Sequence, residues 1–183
     1  MTITRTSVRK RRITTKTKPT RARSKPRTND WQQLTVADVM QPDVVTVMED
    51  LPMPDVERVL AENRISGVPV TDERGLVIGV LSLRDIVEHY TEEPAERPPS
   101  AGFYGFEAGE LEEEDLSLEI PLESTETAGA LMTKEVLSVR PEATLRDAAK
   151  EMIRHGVHRL LVTQRGRTAG IVSTTDLLRA AAK

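Results

Sequence analysis

Apolar residues follow two periods along this chain, and each arrangement occurs twice. In "LRDAAKEMI", Leu145, Ala148, Ala149, Met152 and Ile153 keep the i, i+3, i+4, i+7, i+8 spacing of one helix face. Thr144 stands at the N-cap position, with Asp147 three residues on as its capping-box partner. Val56, Val59 and Leu60 mark a weaker counterpart, opened by Pro54 in a first turn where its missing N–H is harmless. The runs "DVVTV" and "EVLSV" precede these helices and read as extended. Paired runs follow, "VPVT" with "LVIGVLS" and "LLVT" with "TAGIVS". They are joined by "DERG" and "QRGR", whose residues favour turns. A short helix, "LRDIVEHY" or "TTDLLRAA", closes each unit. The predicted order is β-α-β-β-α, twice.

Sliding one unit on the other by 92 positions aligns them without a gap for over thirty residues. Met40 falls on Met132, Val44 on Val136, Val47 on Val139, Asp55 on Asp147, Leu60 on Met152 and Val70 on Val162. One deletion later, Gly79 falls on Gly170, Ser82 on Ser173 and Asp85 on Asp176. An internal repeat is the consistent reading. The repeats span 34–90 and 127–183. One unit alone has a thin core and an exposed apolar sheet face. Two units packed sheet to sheet cover both faces, so the fold class is α/β (α+β) with pseudo-two-fold symmetry.

Charge sets the rest of the chain apart. The net charge of −3 over 183 residues hides an arm, 1–30, with eleven Lys or Arg among its first 29 residues and no acid there. It also hides a connector, 91–126, with twelve acids against Arg97. The arm has too few apolar residues to bury a face and is expected to be disordered. The connector reads as long and flexible, with room for a short helix around Leu111 to Leu118. Its "FYGF" is the one aromatic cluster in the protein.

No Cys is present, so disulfides and thiolate metal sites are excluded. No apolar run approaches the ~20 residues that span a bilayer, and no membrane role is expected. The location expected is cytoplasmic. The alternative is organellar, if the acid-poor arm is a transit peptide. No Walker loop, Gly-x-Gly-x-x-Gly or metal-ligand spacing occurs, and His89, His155 and His158 form no catalytic constellation. The chain is not expected to be an enzyme.

Ser82 with Asp85 and Ser173 with Asp176 have the S-x-x-D spacing of capping boxes. Capping alone accounts for both. The same geometry also suits a ligand. A strand ending at a helix N-terminus presents free N–H groups and partial positive charge. An Asp there can accept two hydrogen bonds from a ribose diol, and a Ser hydroxyl can bond ribose or phosphate.

Together these features resemble the CBS domain and its tandem arrangement, the Bateman module: the "VM" or "LM" start, the middle helix, "ISGVPV" or "GVHRLLV", and the closing "GVLSLRD" or "GIVSTTD". The resemblance covers about 115 of the 183 residues and leaves out both charged tails. It implies a regulatory module with AMP, ADP or ATP bound in clefts between the repeats. Asp85 and Asp176 would hold ribose, with Ser82 and Ser173 beside them. The backbone from Ile65 through Val68 to Pro69, and from Val157 to Leu161, would hold adenine edge-on. Thr46 and Ser138, late in the first strands, would assist. Where the first repeat has Ser66 and Gly67, the second has His158 and Arg159, a basic pair suited to phosphate. The Asp176 cleft is therefore expected to bind more tightly than the Asp85 cleft. A homodimer and an unidentified regulated protein are the expected partners. Two other readings remain open. The basic arm could bind nucleic acid with the repeats as a dimerisation unit, or the repeats could be a scaffold without ligand.

Overall fold

A computed structural model describes residues 31–91, 101–104 and 125–182. The arm and most of the connector, including the expected helix around 111–118, lie outside the described residues. The first repeat runs β1 (Val47–Met48), α1 (Met53–Asn63), β2 (Gly67–Thr71), β3 (Val77–Ser82) and α2 (Leu83–Thr91). Two four-residue helical turns follow, α3 (Ala101–Tyr104) and α4 (Ala128–Leu131). The second repeat runs β4 (Ser138–Val139), α5 (Leu145–His155), β5 (Arg159–Gln164), β6 (Arg167–Ser173) and α6 (Thr174–Ala181). The expected order holds in both.

Each repeat makes a three-stranded sheet in sequence order, with a parallel first pair and an antiparallel second pair. The first strands are only two residues long. Pro69 marks where that pairing stops in the first repeat: the equivalent Leu161 N–H donates to Leu137 O at 3.1 Å, whereas β1 pairs with β2 only at Val70 and Thr71. The hairpin between β5 and β6 turns through Arg165 and Gly166, both with positive φ (54° and 76°), as a two-residue hairpin demands.

The helices dock as their periodicity predicts. Thr144 caps α5 by accepting from the Asp147 N–H at 3.1 Å. Leu145, Ala148 and Met152 are buried, as are Val56, Val59 and Leu60 of α1. Ile153 is the exception. It keeps the helical spacing but lies at the margin of the stripe and is 81% exposed. Both middle helices end in the left-handed conformation, at Gly156 (φ 63°) and at Arg64 (φ 52°).

The repeats exchange their leading segments. Residues 34–41 leave the first repeat and lie on the second: Val36 N–H donates to Ala143 O (2.8 Å), and Gln41 pairs with Ile171 through two 2.9 Å bonds. In return, residues 126–133 lie on the first repeat. Met53 N–H donates to Glu126 O (3.0 Å), and Thr133 pairs with Val80 through two 2.9 Å bonds. Val36 is accordingly buried in the second repeat's core and Ala128 in the first's. The exchange covers the outer edge of β3 and of β6, which would otherwise present unpaired backbone. The sheets also join directly. Val77 and Val80 of β3 pack with Ile171 and Val172, and Val77 N–H donates to Gly166 O at 2.8 Å.

Candidate functional site

Both Ser–Asp pairs stand where a strand passes straight into a helix. Asp176 Oδ2 accepts from the Ser173 N–H (2.9 Å) and hydroxyl (2.6 Å), and the Asp176 N–H reaches Ser173 Oγ at 3.3 Å. The set repeats in the first unit, with Ser82 N–H and Oγ donating to Asp85 Oδ2 at 2.7 and 2.5 Å. Capping is therefore present at both junctions. It uses one carboxylate oxygen and fixes the direction of the other. Asp85 Oδ1 accepts from the Thr133 hydroxyl at 3.2 Å. Asp176 Oδ1 lies 3.7 Å from the exposed Arg179 guanidinium, beyond a hydrogen bond. Burial raises the Asp85 pKa, against the lowering effect of the bonds from Ser82 and Thr133.

The surroundings of Asp85 draw on both repeats. Ser82 and Gly67 of the first repeat face the Leu137 and His158 backbone of the second, with residues 102–104 between them. A Cβ on Gly102 would collide with Ser82 Oγ, and one on Gly67 would meet the Phe103 ring at 2.8 Å. From the far side, His158 N–H donates to Tyr104 O (2.8 Å), and Leu137 N–H donates to the Tyr104 hydroxyl oxygen (2.9 Å). The repeat symmetry is visible in the bonds: Leu83 N–H to Ser66 O and Thr174 N–H to His158 O are both 2.9 Å.

That symmetry splits the basic pair. The His158 backbone borders the Asp85 cleft, and its side chain is exposed. Arg159 pairs with Ser173 in the β5–β6 ladder. Residues directly opposite in a ladder project to the same face, so Arg159 accompanies the Asp176 junction. It is half-buried, and burial lowers its pKa. Thr46 and Ile65 are half-buried, Ile65 against the first repeat's core. The Val68 and Val157 side chains belong to the two cores. They offer a cleft no more than backbone, and the Val157 N–H is already bonded to Met152 O. Ser138 is exposed and accepts from the Thr163 hydroxyl at 3.2 Å.

Sequence reasoning missed Gly102, Phe103 and Tyr104. The connector is not wholly outside the core, since both aromatic rings are buried in the second repeat's cluster and meet edge to face at 4.9 Å. One signal pointed there. In a chain with 3% aromatic residues, the one aromatic cluster sits in a stretch otherwise suited to water.

The CBS domain family model matches residues 36–92 and 128–183, so both repeats are covered. The chain belongs to the CBS domain family. A relative, an uncharacterised protein of Methanocaldococcus jannaschii, is 32% identical over 155 residues, covering 79% of this chain and 89% of that one. Among solved structures, the CBS domain protein CBSX2 in complex with AMP is 26% identical with a TM-score of 0.57, covering 81% of this chain and 96% of that one. The CBS domain of a membrane protein from Sphaerobacter thermophilus is 32% identical with a TM-score of 0.58, covering 81% and 88%. Among the described residues no helix is long and apolar enough to cross a membrane.

Proposed function

We propose that this CBS pair is a non-catalytic regulatory module that binds an adenosine-containing nucleotide, of the AMP, ADP or ATP class, in the Asp176 cleft. The observation that carries this reading is the pairing of Arg159 with Ser173 at the start of α6. It puts a planar cation beside a helix N-terminus, where phosphate is favoured. The capped Asp176 keeps one oxygen outside its cap bonds, and a ribose diol needs such an acceptor. The similar CBSX2 structure, solved with AMP, supports the ligand class. Binding acts as a signal through any difference in affinity between two packings of the repeats, read by a partner protein.

A thermal-shift series with adenosine, AMP, ADP and ATP tests this. Ligand at a hundredfold excess over its Kd stabilises the fold by about 2.7 kcal/mol, enough to raise the transition by several degrees. Asp176→Ala is expected to abolish the shift while keeping a cooperative transition. No shift with any of the four compounds at millimolar concentration would sink the proposal.

A further inference from the structure

The turn Ala101–Tyr104 meets the Asp85 cleft at five places. Gly102 lies on Ser82 and Arg84, Phe103 on Gly67, and Tyr104 takes backbone N–H groups from Leu137 and His158. We propose that this turn is a built-in occupant of the Asp85 cleft, and that an adenosine ligand enters there only when the turn is displaced. The inference rests on the reading of these clefts as nucleotide sites.

The turn has what a purine would offer such a slot. It brings a flat aromatic ring, held at its edge by an N–H, and a carbonyl acceptor for a second N–H. Those two donors come from positions 137 and 158, the second of them inside the backbone stretch expected to hold adenine. Phe103 and Tyr104 are both buried there. Burial pushes the Tyr104 phenol pKa up, against the lowering effect of the Leu137 N–H.

The occupant also accounts for a difference between the repeats. Position 67 is Gly in the first, and the equivalent position, 159, is Arg in the second. A side chain at 67 would strike the Phe103 ring. The first repeat is thus open where the chain fills its own cleft, and carries a cation where the cleft is left for a ligand. Gly102 belongs to the same fit, since any side chain there would push on Ser82 Oγ. The turn's own occupancy weakens a free ligand, whose apparent Kd is its intrinsic value divided by the fraction of chains with the cleft open.

Two measurements on the full chain test the proposal. Hydrogen exchange of the Leu137 and His158 amides needs no ligand. They are expected to exchange at least roughly tenfold faster in Phe103→Ala/Tyr104→Ala than in the wild type. Calorimetric titration with AMP then counts sites: one per chain in the wild type, two in the double variant, and one again when Asp85→Ala is added. Should the double variant fail to fold, Gly102→Ala expels the turn while keeping both rings, and the same results are expected. Equal amide exchange in wild type and variant overturns the proposal, as does a variant that binds no more AMP than the wild type. A wild type that binds none beside a variant that binds one sustains the occupant and instead sinks the proposal for the Asp176 cleft.

Discussion

Gly170 lies directly against Met40. A Cβ at position 170 would stand 2.9 Å from the Met40 sulfur and 2.7 Å from the Gln41 carbonyl oxygen. Gly79 repeats the relation with Met132 (2.6 Å) and Thr133 O (2.8 Å). The glycine that opens each "GVLS" or "GIVS" phrase is therefore the gap through which the other repeat's leading segment passes. The sulfur can swing aside, but the carbonyl is held by the Gln41–Ile171 pair. Gly170→Ala is expected to destabilise by about 1–3 kcal/mol, and adding Met40→Ala should recover only part. Urea midpoints of the two variants check this, and an unchanged midpoint for Gly170→Ala would refute it.

Arg64 closes α1 with φ 52°, where its counterpart Gly156 closes α5 with φ 63°. The bonds at the two ends match: Ile65 N–H reaches Leu60 O at 3.0 Å, and Val157 N–H reaches Met152 O at 2.9 Å. Only the side chain differs, and a Cβ in this conformation costs about 1–2 kcal/mol. Arg64→Gly is expected to raise stability by about 1 kcal/mol, less the entropy that glycine regains on unfolding. A calorimetric transition no higher than the wild type's would count against it.

Asp85 makes stability depend on pH. Burial raises its folded pKa above the ordinary 3.8, Glu88 adds to the rise, and bonds from Ser82 and Thr133 oppose it. In the unfolded chain the group ionises at the lower value. Its contribution is thus fully present below 3.8 and is lost as pH rises through the folded pKa. Asp85→Asn cannot ionise and keeps a cap oxygen. Its stability relative to the wild type should rise with pH from about 4 and then level off. Unfolding curves across that window that run parallel would contradict this account.

Arg159→Ala is expected to weaken AMP by about tenfold to a hundredfold, the value of a charge-assisted contact. Adenosine, which has no phosphate, should be affected little. Titration of both ligands against folded variant distinguishes the outcomes. Equal weakening would remove Arg159 from the phosphate site.

Ile153 on α5 and Leu178 on α6 are 81% and 69% exposed, and the two helices touch. We expect this apolar surface to be covered in a homodimer. Sedimentation should find a dimer at micromolar concentration and a monomer for Ile153→Asp/Leu178→Asp. A wild-type monomer, or a variant that still dimerises, would show that these residues do not form the contact.

The parts of the fold that were legible in the sequence are those set by local rules. The 3.6-residue stripe of Leu145, Ala148 and Met152 located α5, and the S-x-x-D spacing located both helix starts. Direction beyond the element was not legible. Nothing in the pattern of residues 34–41 says that Val36 enters the second repeat's core, because periodicity records that a face is buried and not what buries it. The same gap hid the make-up of the clefts. His158 and Arg159 are adjacent in sequence, yet the backbone N–H of one bonds to Tyr104 O and the other stands opposite Ser173 in the β5–β6 ladder. The turn Ala101–Tyr104 was hidden by its neighbours. Averaged over the acidic connector, four small and aromatic residues barely alter a composition typical of solvated chain.

The exchange of leading segments also sets the order in which the protein can be made. Contacts such as Met53 with Glu126 and Val80 with Thr133 join residues far apart in the chain, so loop closure precedes their reward. As the chain leaves the ribosome, the residues of the first repeat emerge before the strip that covers β3. That repeat cannot finish until residue 133 has emerged. The second repeat, by contrast, finds residues 34–41 already waiting. Folding is therefore expected to end at both repeats together, in one late cooperative step after synthesis of the second.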